Sequence, residues 1–290
     1  MRGRLRRVID RDPVRSALRG AKRILARDVI DGRPVRVARG WRLHLNPHDR
    51  VGLLHYLAGD YEAVELRVAQ TAIRPGSIAF DVGANIGYWS LELSRMVGPR
   101  GRVYAFEPEP ENFQILLANL RLNGASNVTP VPIALSNAHG DRRLFRSRSN
   151  AGDYSFGGVD DARDSVVVPC GRMDQFCEQY GCRPDFLKVD VQGHELEVFE
   201  GARGLGPGWT SQVRAVVEFD RDSLTRSRVD AAEFLGRLQA LGFDLRPIRK
   251  RGPMDPISTG GVAPFSTDPR NDRLNLFLDH APARPDGSSS

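Results

Sequence analysis

The chain has 290 residues, 40% of them hydrophobic, enough for one large α/β domain or two small ones around an ordinary core. Its pI of about 9.6 suggests a polyanion partner, yet residues 1–40 hold 13 basic against 4 acidic side chains, leaving 29 against 32 for the rest. The body is therefore slightly acidic and no nucleic-acid partner is expected; nor does any apolar run match a membrane span or a signal peptide, so a soluble cytoplasmic protein is expected.

Met1 to Arg39 reads as a basic, partly helical arm with a ragged apolar stripe, suited at most to peripheral contact with an acidic surface. Residues 41–280 read as a single domain, with 41–74 as an N-terminal cover and 75–280 as its core. Gly40 to Leu45 alternates like a short strand. Residues 49–73 have helical spacing in two pieces divided near Gly59, and Tyr61 and Glu62 open the second piece. Standing just before the next strand, these two are placed to close over a ligand.

Ser77 to Leu91, SIAFDVGANIGYWSL, organises the chain. Ile78, Ala79, Phe80 and Val82 form the apolar run of a strand buried on both faces. A tight turn follows, with Gly83 and Gly87 around Ala84, Asn85 and Ile86, and then a helix from Tyr88: the first half of a βαβ unit. The glycines are expected to let backbone N–H groups approach a ligand at a helix start. The spacing Gly83-x-x-x-Gly87 lacks the three-glycine pyrophosphate cradle, and Asp81 would repel a pyrophosphate, which disfavours a nicotinamide dinucleotide. Asp81 suits an ammonium group, and Glu107, ending the run Val103 to Phe106, suits two ribose hydroxyls. A cationic amino acid joined to a nucleoside without phosphate fits both, and S-adenosylmethionine is that ligand.

Further on, the alternation is that of a doubly wound sheet. Arg102 to Glu107 is a strand, Pro108 to Asn123 a helix, and Asn127 to Leu135 a third strand closing at Ser136-Asn137 near the ligand rim. Asp141 to Phe145 and Ser165 to Pro169 read as an antiparallel pair around a Gly/Ser/Asp-rich loop. The helix Arg172 to Tyr180, the strand Asp185 to Val191, the turn Gln192-Gly193 and the helix His194 to Gly201 follow. Then come the strand Val213 to Phe219, the helix Asp230 to Leu241 and the strand Phe243 to Ile248. Gly252 to Asp272 reads as a loop, a lid or a plain surface excursion; Leu274 to Leu278 is a last strand and residues 281–290 a disordered tail. Cys170, Cys177 and Cys182 cannot all pair and offer no zinc set, so free thiols are expected.

The segments GDYEAVE, FDVGANIGYWSLEL, VYAFEPEPENFQILLANLRLNG, PIALS, PDFLKVDVQGHELEVFEGA, VVEF and LNLFL stand in this order from about Gly59 to Asp279. In them the chain resembles the FkbM family of S-adenosylmethionine-dependent methyltransferases. The resemblance implies a class I methyltransferase (Rossmann-like) fold: seven strands, mostly parallel with an antiparallel last strand, and helices on both faces. It also implies methylation of a hydroxyl on a small molecule, a glycan or a lipid-linked sugar. The donor would lie against Asp81, Gly83, Ala84, Asn85 and Gly87, with Glu107, Pro108 and Ala134 on its nucleoside side. Where the family reads D-V-E-G, this chain has Asp190-Val191-Gln192-Gly193, which opens the alternative of a weakened or non-catalytic donor-binding protein.

Methyl transfer needs alignment and a base for the acceptor hydroxyl. Ligands of open α/β sheets sit at the strands' carboxyl ends, which brings Asp190, Gln192, His194, Glu218 and Asp220 to one edge. Asp190 is the first choice for contact with the hydroxyl, against a capping role. His194 is a second base, against a solvent-facing position. Lys188, one of three lysines beside 39 arginines, shares a strand face with Asp190. It would hold Asp190 ionised, act as the base if burial lowers its pKa, or form a structural ion pair with an acid on the neighbouring strand. Tyr61, Glu62, Gln192 and Glu218 are assigned to the acceptor side. No metal is assigned, although Asp190, Glu218 and Asp220 are hard oxygen ligands.

Overall fold

The computed structural model describes residues 32–46, 56, 61–147, 154–156, 162–249 and 254–280. Most of the basic arm, most of the first helical piece about Gly59, most of the loop after Ser147 and the whole tail therefore lie outside the described residues. Val35–Arg36 (β1) and Arg42–Leu43 (β2) pair antiparallel. Val35 and Val37 are buried beside Leu43 and Leu45 in the core, so the folded body begins within the segment assigned to the arm. Their side chains are apolar in an otherwise charged stretch, which is why they leave water.

After the cover helix Ala63–Ala72 (α1) come Ile78–Val82 (β3), Tyr88–Val97 (α2), Arg102–Phe106 (β4), Pro110–Leu122 (α3) and Val128–Val131 (β5). The expected single strand 127–135 stops at Val131. Pro132 offers no N–H to a ladder, and Ala134–Leu135 (β6) turns away to join another sheet. Pro130 is tolerated because β5 is an edge strand. That second sheet, ordered β6-β9-β7-β8, contains Gly140–Ser147 (β7), Tyr154–Ser155 (β8) and Ala162–Gly171 (β9), with β7 and β9 antiparallel as expected.

The main sheet is completed by Phe186–Val189 (β10), Arg214–Asp220 (β11), Phe243–Ile248 (β12) and Arg273–His280 (β13). Between them stand Met173–Tyr180 (α4), Glu195–Glu200 (α5), Arg221–Arg226 (α6), Ala231–Ala240 (α7) and Val262–Thr267 (α8). The seven strands run β12-β13-β11-β10-β3-β4-β5, parallel except for β13, which is antiparallel to both neighbours. This is the class I methyltransferase arrangement. Two core clusters cover its faces: α4, α5 and α7 pack on the side of Phe80, Val82 and Phe106, and α1, α2 and α3 on the side of Ala79, Val103 and Ala105.

Strand alternation puts Asp81 and Lys188 on the second of those faces, beneath α1 and α2; they are register partners across β3 and β10. Cys170, Cys177 and Cys182 are buried free thiols. The 252–272 loop is partly helical where described: α8 buries Val262 and Ser266, and Ile257 donates its N–H to Leu245 O at 2.8 Å, so it packs on the body, and none of its described residues lines the cavity. Among the described residues no helix is long and apolar enough to cross a membrane.

Candidate active site

A cavity of about 340 Å³ opens at the carboxyl ends of β3, β4, β10 and β11, roofed by α1 and β8. Asp81 and Glu107 both line it. Asp81 is 1% exposed and accepts from Ser90 Oγ at 2.6 Å; burial pushes its carboxyl up to about 6, with Ser90 and Lys188 opposing. Glu107 Oε2 accepts from Asn85 N at 2.7 Å and Oε1 from Glu109 N at 2.9 Å, yet burial still pushes it up to about 8. Each ionises more readily beside a cation or a hydrogen-bond donor, which is what an amino group and ribose hydroxyls supply.

The glycine turn works differently from the sequence expectation. Gly83 and Ala84 both donate to Phe106 O, at 3.0 and 2.9 Å, and Asn85 donates to Glu107. These N–H groups tie β3 to β4 rather than facing a ligand. Gly83 is required for another reason: its φ is +84°, and a Cβ there would lie 1.9 Å from the Asp190 carbonyl oxygen. Gly87, at φ +90°, faces Leu116 instead and does not line the cavity. Ala84, Asn85, Pro108 and Ala134 do line it, the last from β6 of the second sheet.

On the other side stand Tyr61, Glu62, Lys188, Asp190, Gln192, His194 and Glu218. Lys188 Nζ is 3.3 Å from Asp190 Oδ2 and 3.9 Å from Glu62 Oε2. Burial would depress its ammonium, but Asp190, Glu62, Glu218 and Asp81 outweigh that and raise it. Lys188 is thus a fixed cation, which corrects its reading as a base. Its ion-pair partners are Asp190 on its own side of the sheet and Glu62 of the cover, rather than an acid bonded to it across the neighbouring strand. Burial pushes Asp190 up, but Lys188, Glu218 and Gln192 outweigh it and hold it below the usual carboxylate range. Glu218 is pushed well above that range by burial, then by Asp190 and Glu195, so the proton of the pair sits on Glu218.

His194 lines the cavity and is 7% exposed, so it is not solvent-facing. Its Nδ1 lies 3.0 Å from Glu197 Oε1 and its Nε2 3.2 Å from Ser227 Oγ. With both ring nitrogens held by the protein, it is a structural link rather than a base. Ser136 is likewise turned inward, donating to Glu197 at 2.7 Å. Asp220 caps α6 by accepting from Asp222 and Ser223 N–H, and it does not line the cavity.

A model of the methyltransferase FkbM domain matches residues 81–245, more than half of the chain. The chain belongs to the FkbM methyltransferase family. It is 32% identical over 213 residues to the methyltransferase sdnD of Sordaria araneosa, covering 61% of this chain and 78% of that one. It is 30% identical over 158 residues to the 31-O-demethyl-FK506 methyltransferase FkbM of Streptomyces tacrolimicus, covering 44% and 60%. With the hexuronic acid methyltransferase AglP of Haloferax volcanii it shares 29% over 147 residues, covering 50% and 57%.

As a member of this family the protein is a methyltransferase, and its cavity fits S-adenosylmethionine. Asp81 would hold the amino group and Glu107 the ribose, while the buried amide of Asn112 in the same wall has no hydrogen-bond partner among the described residues. The sequence reading passed over Asn112, Trp89, Tyr154 and Phe156, all of which line the cavity. Trp89 donates Nε1 to Glu62, a contact hidden inside a helical apolar run. Phe156 lies 4.2 Å below the Arg142 guanidinium and meets His194 edge-on at 5.3 Å. Nothing in a Gly/Ser/Asp-rich stretch signals that its aromatics return to the sheet end.

Proposed function

We propose that this FkbM-family methyltransferase uses S-adenosylmethionine to methylate a hydroxyl of a small molecule or a sugar. The observation that carries this reading is the ionised Asp190, 22% exposed at the cavity and held between Lys188 and Gln192. The donor supplies an electrophilic methyl group and a neutral thioether leaving group. Asp190 accepts the hydrogen bond of the acceptor hydroxyl and takes its proton as the new C–O bond forms. Lys188 keeps Asp190 ionised until then, and α1 excludes water from above.

The acceptor wall suits hydroxyl groups. Asn275 lines the cavity and donates Nδ2 to Glu65 at 3.3 Å, so this wall is polar. Tyr56, Tyr61 and Tyr88 form an aromatic cluster, with centroids 4.5 to 5.5 Å apart, against which an apolar ring face can lie. The name of one relative, a 31-O-demethyl-FK506 methyltransferase, supports O-methylation, and that of another, a hexuronic acid methyltransferase, supports a sugar acceptor.

The alternative of a donor-binding protein without turnover took its motive from Gln192. The carboxamide counts against it, since Gln192 Nε2 donates to Asp190 and to Glu218 at 2.9 Å each and so supports the proposed base. The test is transfer of labelled methyl from S-adenosylmethionine to a panel of hydroxylated small molecules and sugars, with Asp190→Asn in parallel. Transfer by the wild type, reduced at least about a hundredfold in the variant, is expected. Donor binding with no transfer to any acceptor returns the binding-protein reading.

A further inference from the structure

We infer that Cys177 and Cys182 form a redox-active thiol pair, a modification site away from the active site that reacts with low-molecular-weight disulfides. The inference is independent of the methyl-transfer reading. The end of α4 builds the pair. Cys182 N–H donates to Cys177 O at 3.1 Å and Gly181 N–H to Glu178 O at 3.4 Å, the two bonds of a Schellman turn closed by Gly181 at φ +59°. Such a turn sets a residue of the last helical turn against the one just past the helix, a contact usually made by two apolar side chains. Here two thiols make it, the Cys177 S–H donating to Cys182 Sγ. Both cysteines line a second cavity, of about 690 Å³, that shares no lining residue with the active site. At 4% and 8% exposure they admit a small reagent but no protein partner.

The surroundings make the two sulfurs unequal. Cys182 accepts from Cys177 and from the Tyr104 hydroxyl, and Arg102 adds a nearby positive charge. The Cys177 hydrogen bond, then those two, bring the Cys182 thiol down to about 7 against burial. Cys177 is pushed up, first by donating to Cys182 and then by burial. Cys182 is therefore the attacking thiolate and Cys177 the resolving thiol. The Cys182 thiolate attacks one sulfur of a small disulfide, forming a mixed disulfide and expelling a thiolate that takes up a proton. Cys177 then loses its proton to solvent and attacks the Cys182 sulfur, expelling the second thiolate. Two cysteines are oxidised to one disulfide, and the reagent is reduced to two thiols. Cys170 lies on β9 of the other sheet, and burial pushes its thiol up, which makes it an internal control.

The test is treatment of the folded protein with bis(2-hydroxyethyl) disulfide at neutral pH, followed by intact mass and peptide mapping after alkylation of the remaining thiols. The wild type is expected to lose the mass of two hydrogens, to carry a Cys177–Cys182 crosslink and to keep Cys170 alkylatable. Cys177→Ser is expected to stop at a mixed disulfide on Cys182, and Cys182→Ser to react at least about tenfold more slowly than the wild type. A wild type that stays reduced, or that keeps the reagent on one cysteine without a crosslink, overturns the pair even if a variant fails to fold. Modification of Cys170 as fast as Cys182 overturns it as well, since general unfolding would then expose every thiol. Undiminished reaction of Cys182→Ser removes Cys182 as the attacking group and sinks the assignment.

Discussion

The Gln192 carboxamide nitrogen lies 2.9 Å from Asp190 Oδ1, and its second hydrogen serves Glu218 Oε2 at the same distance. Gln192 adopts φ +54°, so the left-handed turn itself aims the amide back at the strand ends. A neutral donor thus separates two acids, letting Asp190 stay ionised while Glu218 keeps a proton. Gln192→Glu places a third carboxyl between them. Its charge, or the proton it takes, shifts the acid limb of the pH–rate profile upward by about one unit, with donor affinity little changed. The kcat profile of the variant against the wild type checks this, and an unmoved limb would remove Gln192 from the base's support.

Lys188 is 1% exposed and faces Asp190 and Glu62. Lys188→Met leaves these acids without their cation, and breaking such a buried pair costs about 3 kcal/mol or more at pH 7. The loss is expected to shrink toward pH 5, where the carboxyls take up protons. Urea unfolding at the two pH values measures it. A uniform loss across pH would mean that only packing was removed.

Asp81 and Glu107, raised to about 6 and about 8, make the ligand-free site sensitive to pH. A carboxyl raised in the folded state binds a proton there that the unfolded chain has released. Its contribution to stability is therefore present at low pH and falls as pH rises from its unfolded pKa through its folded one. Ligand-free stability should decline between pH 5 and 8, Asp81 alone accounting for at most about 3 kcal/mol. Donor affinity should rise over the same window as both acids ionise onto the ligand. Asp81→Asn should flatten the lower half of both curves, as thermal unfolding and calorimetry would record.

Gly83 and Gly87 share a positive φ but differ in what a methyl group would meet. For Gly83→Ala it is the Asp190 carbonyl oxygen at 1.9 Å, a backbone atom that moves only if β10 shifts; for Gly87→Ala it is Leu116 Cδ1 at 2.5 Å, the end of a side chain able to turn. Gly83→Ala should cost more than about 3 kcal/mol and abolish donor binding. Gly87→Ala should cost about 1 kcal/mol and leave binding within a few-fold. Equal costs would show that backbone conformation, rather than the approach to Asp190, governs both.

The unit β3–turn–α2 and the acids at the strand ends were legible because each is a local pattern, whereas the antiparallel last strand followed from the family resemblance. An apolar run, a glycine spacing and a carboxylate at a run's end need no partner to be recognised, and the sheet brings such ends together by its own topology. The tertiary structure alone decided what the polar groups do. Lys188 is an ammonium because Asp190 just beyond β10, Glu62 just before α1, Glu218 of β11 and Asp81 of β3 surround it, and His194 is no base because Glu197 and Ser227 occupy its ring. The turn N–H groups face Phe106 and Glu107. Charge state and hydrogen-bond capacity depend on burial and on partners tens of residues away, and no local pattern in the sequence encodes either.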